Sequence, residues 1–89
     1  MLQETLTIIN SRGLHARAAT KLVKTALTFD SDIHIEFDGK TADCKSVMSI
    51  LLLAATVNSE ITLTATGCDE QNAIDRIKAL FSNKFGEDS

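Results

Sequence analysis

Arg12-Gly13-Leu14-His15-Ala16-Arg17-Ala18-Ala19-Thr20-Lys21 is the stretch around which this 89-residue chain organises itself. A strand-like run, Thr5 to Asn10, stops just before it, and apolar residues at helical spacing begin just after it. Gly13 supplies a flexible corner between the two. His15 is therefore expected at or beside the first turn of a helix, where several backbone N–H groups lack an intrahelical partner and a phosphate-like anion is favoured. Arg17, two residues on, can fold a guanidinium toward an oxyanion carried by the imidazole. These parts suit a histidine that accepts and hands on a phosphoryl group. A His-x-Arg pair alone more often means a histidine that merely caps a helix, beside an arginine on a solvated face.

Outward from this stretch the chain reads as alternating strands and helices. Gln3 to Ile9 sets Leu6 and Ile8 against Thr5 and Thr7, the period of a half-buried strand. Downstream, Ala19, Leu22, Val23, Ala26 and Leu27 are expected on one helical face, with Arg17, Lys21 and Lys24 on the other. Phe29 closes that helix before a polar loop, Asp30-Ser31-Asp32. Ile33, Ile35 and Phe37 alternate with His34 and Glu36, so His34 should face solvent and carries no assigned role. Asp38-Gly39 signals a hairpin, with Lys40 to Asp43 returning.

Ser46 is placed to cap a second helix, a role worth about 1 kcal/mol. Val47 to Ala55 is nearly all apolar, more than one sheet contact can cover. Such a helix is either buried from both sides or leaves Val47, Met48 and Leu51 partly exposed for a partner. Glu60 to Thr66 is the clearest strand. Asp69 is expected to cap the last helix, with Glu70 in its first turn and Ala73, Ile74, Ile77, Leu80 and Phe81 as its apolar stripe. Phe85 would tuck the end down, leaving Gly86 to Ser89 frayed. The order is βαββαβα, one domain over residues 1–89.

Composition narrows the function classes. No apolar run approaches the roughly 18 residues of a membrane span, and no secretory leader is evident. Cys44 and Cys68 match no CxxC pattern and are expected as buried or half-buried thiols; with two histidines, a zinc site is not expected. The net charge of −3 argues against nucleic acid. Residues 1–28 carry four basic side chains against one acidic, while the remainder carries five against eleven. Positive charge thus gathers around His15, where acidic partner surfaces would be steered.

Gly13-Leu14-His15-Ala16-Arg17, followed by Ala19-Thr20, resembles the active-site motif of the HPr family, the histidine phosphocarriers of the bacterial sugar phosphotransferase system. The likeness continues through Phe37-Asp38-Gly39-Lys40-Thr41, Lys45-Ser46-Val47-Met48-Ser49, Glu60-Ile61 and Thr66-Gly67-Cys68-Asp69-Glu70, covering essentially the whole chain. It implies an α+β open-faced sandwich, a four-stranded antiparallel sheet with three helices on one face. It further implies that enzyme I, charged from phosphoenolpyruvate, phosphorylates His15 at Nδ1 while Arg17 and the backbone of Ala16 and Arg17 hold the phosphoryl group. The group would pass to a sugar-specific or regulatory phosphoacceptor protein, with Thr20, Lys24, Val47, Met48 and Leu51 docking partners. In part of the family a dedicated kinase, HPr kinase/phosphorylase, modifies the serine corresponding to Ser46.

The resemblance implies a cytoplasmic, monomeric carrier without membrane insertion, cofactor, metal or independent turnover. One position departs: the family usually has proline after the arginine, and here it is Ala18. Proline there fixes φ and removes an N–H that has no partner, so alanine should cost rigidity and spare the chemistry. Two other classes compete. A small-molecule-sensing βαββαβ domain would not require His15-x-Arg17, and a histidine-dependent phosphohydrolase would need further charged residues around the histidine.

Overall fold

The computed structural model describes residues 1–88. Its elements are β1 (Leu2–Thr7), α1 (Ala16–Ala26), β2 (Asp32–Phe37), β3 (Lys40–Asp43), α2 (Val47–Leu52), β4 (Glu60–Thr66) and α3 (Glu70–Ser82), followed by a single 3-10 turn, Lys84–Gly86. The strands form one antiparallel sheet in the order β1-β4-β2-β3, and the expected open-faced sandwich is met. No helix among the described residues is long and apolar enough to cross a membrane.

Period-two alternation sets the sheet's two faces. Leu6, Ile33, Ile35, Ala42, Ile61, Leu63 and Ala65 are buried beneath the helices, whereas Thr5, Thr7, His34 and Glu36 are exposed. The central strand aligns Leu63 with Ile35, and Ile61 with Leu6. A register slip of one residue would turn these apolar side chains out to water. From the helices, Ala18, Ala19, Leu22, Val23 and Ala26 of α1, Ile50 of α2, and Ala73, Ile74, Ile77 and Phe81 of α3 complete the core. Asp38 and Gly39 both have positive φ (53° and 78°), the geometry a tight two-residue hairpin needs. Cys44 is buried; that burial, and next the charge of Asp43, push its thiol up to about 12, so it packs as a small hydrophobe.

Several expectations need correction. Leu27 is 60% exposed, because α1 ends at Ala26 and Leu27 is already its cap. α2 stops at Leu52 instead of running to Ala55: Ala54 has a φ of +53°, which ends the helix without the glycine that would have announced it. Cys68 is exposed. The tail is also not frayed as expected. Phe85 is buried as expected, its ring centroid 4.9 Å from that of Phe81, but Gly86 and Glu87 are held by backbone N–H groups donated to Asn83 and Lys84 carbonyls. Ser89, the last residue of that expectation, lies outside the described residues.

Asp69 precedes α3 but does not cap it with its side chain. Its carboxylate crosses to the loop between α1 and β2, accepting from Asp30 N (2.9 Å), Ser31 N (3.0 Å) and the Ser31 hydroxyl. Glu70 instead reaches back to Gly67 N at 3.1 Å. The hydroxyl of Ser31 foremost, then the Asp30 amide, hold the Asp69 carboxyl below its ordinary value of 3.8. A lowered folded-state pKa gives stability that is complete above the unfolded value and lost as pH falls through the folded one. Asp69→Asn should therefore lower the melting temperature at neutral pH, with the gap to the parent narrowing progressively below pH 3.8. A gap that stays constant through the acid range would contradict the assignment.

Candidate active site

The candidate site sits where β1 hands over to α1. Ile8 extends the strand pairing, its N–H meeting Ser59 O and its carbonyl accepting from Asn58. The chain then turns through Asn10 O and Gly13 N (3.1 Å), and Leu14 N donates to Ala55 O at 3.0 Å. Gly13 holds a φ of +66°, and a Cβ built there would lie 2.7 Å from Ala55 O and 2.8 Å from Thr56 Cα. Both the backbone angle and the close approach thus require glycine. Early termination of α2 is what carries Ala55 to this corner.

His15 is the N-cap residue of α1, with extended backbone (φ −80°, ψ −178°) and no side-chain cap bond. Its imidazole is free of helix-capping duty. The first intrahelical bond runs from Ala19 N to His15 O, so the N–H groups of Ala16, Arg17 and Ala18 have no helical acceptor. No acidic residue stands in the first turn to satisfy them. That end of the helix therefore keeps its partial positive charge for an anion.

The imidazole, 24% exposed, makes a hydrogen bond through Nε2 to Oε2 of Glu87. Oε1 of the same carboxylate accepts from Asn10 Nδ2 at 2.9 Å, and this buried amide also donates to Gly13 O at 2.9 Å. Covering the Glu87 carboxyl would by itself raise its pKa. Hydrogen bonds from Asn10 and then His15, with the nearby charge of Arg12, outweigh that and hold it below its ordinary value. Beside it opens a pocket of about 280 Å³ lined by Arg12, Arg17, Gly86, Glu87 and Asp88.

Arg17 is exposed and lines this pocket at the second helical position, able to reach an anion without being tied to the ring. Thr20 is exposed, its hydroxyl bonded to Ala16 O at 2.8 Å, and Lys24 is exposed in the last turn. Val47 and Leu51 are half-buried and Met48 is 65% exposed; Leu52, absent from the sequence reading, adds further exposed apolar surface. Ser46 caps α2, accepting from Ser49 N at 3.3 Å. His34 stands apart on the open sheet face, opposite Asp43 and Thr64.

Sequence reasoning missed Asn10, Arg12 and Glu87, and placed Lys21 on the outer face of α1 with its role left open. Lys21 is half-buried and donates to Phe85 O, tying the tail to α1. Only Arg12 carried a signal, as part of the basic N-terminal third.

Comparison with known proteins places the chain. Residues 2–83 match the family model described as "PTS HPr component phosphorylation site". The chain belongs to the HPr family. It is 47% identical over 87 residues to the phosphocarrier protein HPr of Cupriavidus necator, covering 98% of each chain. It is 40% identical over 89 residues to the HPr of Xylella fastidiosa, covering 100% of both. The crystal structure of HPr-C-His from Thermoanaerobacter tengcongensis superposes with a TM-score of 0.96 at 40% identity, covering 100% of both chains. As a member of that family, the chain is a phosphocarrier of the phosphotransferase system.

Because the corner tolerates no Cβ, Gly13→Ala should destabilise the chain by about 1–3 kcal/mol from backbone strain and overpacking. It should also perturb the His15 ring resonances in an NMR spectrum more than those of His34. Unchanged stability with an unmoved His15 would mean that the corner is not what positions the histidine.

Proposed function

We propose that His15 accepts a phosphoryl group at Nδ1 from enzyme I charged by phosphoenolpyruvate, and passes it to a sugar-specific or regulatory phosphoacceptor protein. The observation that carries this reading is the pairing of an N-cap histidine whose side chain does not cap with a helix start whose first turn contains no acidic residue. Arg17 then neutralises the phosphoryl oxygens from the pocket side. Ala16 and Arg17 supply backbone donors, and the chain turns nothing over by itself. A carrier has to bind phosphate without stabilising it so far that transfer onward stalls. A partly open helix terminus meets that requirement better than a closed pocket.

Docking follows from the exposed surface. Met48, with Val47 and Leu51 behind it, offers apolar contact, and Thr20 and Lys24 offer polar contact on α1. The flexible thioether of Met48 suits partners met in turn. Ser46 carries the family's regulatory reading as well as its cap: a phosphate there would add about −1.5 to −2 charge at the start of α2 and repel an acidic partner face.

Incubation with phosphoenolpyruvate and enzyme I, read by intact mass, tests the central step. His15→Ala should abolish phosphate uptake, whereas His34→Ala should take it up at the parent rate. The bound phosphate should be acid-labile and base-stable, as phosphate on nitrogen is. Uptake by His15→Ala, or an acid-stable product, would overturn the reading.

A further inference from the structure

Glu87 lies beyond the residues the family model matches, in a tail whose composition reads as disorder, yet its carboxylate is hydrogen-bonded to the candidate acceptor ring. The tail is built to reach that place. Lys84, Phe85 and Gly86 take three consecutive positive φ angles of 54°, 55° and 77°, which reverse the chain after α3. Left-handed backbone at two non-glycine residues is unfavourable, and the burial of Phe85 against Phe81 offsets it. Lys21 fastens the turn by donating to Phe85 O. Asn10 then takes the other carboxylate oxygen while holding Gly13 O, so that one buried amide sets both the glycine corner and the tail.

We propose that Glu87 is a positioning residue for phosphoryl transfer: it holds the hydrogen of His15 on Nε2, leaves the lone pair on Nδ1, and balances the charge the ring acquires on phosphorylation. This rests on the reading of His15 as the acceptor. A carboxylate has no hydrogen to give, so the ring nitrogen facing it has to be the donor. Glu87 is kept in that form by its partners, its carboxyl lying below the ordinary value despite being covered. A neutral ring with its hydrogen on Nε2 has an unprotonated Nδ1, and no base is needed to prepare it.

In the transfer, the Nδ1 lone pair forms the bond to phosphorus, and the donor's bond to phosphorus breaks with its electron pair returning to the donor. No proton leaves Nδ1, since none was there, and Nε2 keeps its own. The ring becomes a phosphoimidazolium whose positive charge lies against the Glu87 carboxylate. On release to an acceptor the N–P electron pair returns to the ring and regenerates the same tautomer. Glu87 can thus stay in place through the whole cycle, on the opposite side of the ring from the phosphoryl group.

The test uses the full chain with ¹⁵N-labelled histidine, compared as parent, Glu87→Gln, Glu87→Ala and His15→Ala. Long-range ¹H–¹⁵N spectra, at a pH where the rings are neutral, report the tautomer of His15, with His34 as an internal reference. Transfer from phosphoenolpyruvate through enzyme I is followed by intact mass. The parent should show His15 only as the Nε2–H tautomer. Glu87→Ala should show a mixture and slow transfer about tenfold or more, the scale of a lost hydrogen bond to a charged group. Glu87→Gln, whose amide oxygen still accepts from Nε2, should keep the tautomer and recover part of the rate. A merely structural tail contact would move neither the tautomer nor this ranking. If Glu87→Ala keeps the parent's tautomer and rate while His15→Ala is inert, the positioning role is overturned and the acceptor assignment stands. If His15→Ala still takes up phosphate, both fall.

Discussion

The hydrogen bond from Leu14 N to Ala55 O, made across a gap that a side chain at residue 13 would fill, is the constraint on which the site depends. It joins the start of α1 to the segment that follows α2, so the position of His15 is set by two segments about forty residues apart. Its cost is a positive φ at Gly13 and another at Ala54, which stops α2 in time to deliver Ala55. Leu14 is buried beside the bond, so backbone and apolar contacts act together to seat the N-cap. A histidine seated this way keeps its imidazole out of the helix cap.

Electrostatics around the ring are mixed in sign, and that mixture suits a carrier. Arg12 and Arg17 face the pocket with Glu87 and Asp88, while the helix start contributes its unpaired N–H groups. A purely cationic pocket would hold phosphate tightly and release it slowly. Acidic tail residues temper the basic ones, and the ring itself stays partly exposed.

How much of this was legible in the sequence depends on how local the cause is. The strands and their inward faces follow from period-two alternation, the hairpin from Asp38-Gly39, and the second helix start from Ser46, all signals contained within a few residues. The motif at 13–17 placed the candidate histidine at a helix start by the same local logic. The end of α2 was illegible because an unbroken apolar run carries no stop signal and Ala54 gives no hint of left-handed backbone. Asp69 looks like a cap in sequence and is claimed by a loop 38 residues away. Glu87 is separated from His15 by 72 residues, and its polar neighbours suggest a frayed end. What escaped were contacts between distant segments, which composition and period do not encode.

The most direct test of the helix start as the phosphoryl cradle is to record backbone amide ¹H–¹⁵N spectra before and after phosphorylation. Amides that donate to the phosphoryl oxygens should move strongly downfield, so Ala16 and Arg17 are expected to shift most, with the amides of β2 and β3 nearly still. Amides of Ala16 and Arg17 that stay in place, while His15 carries phosphate, would contradict the account.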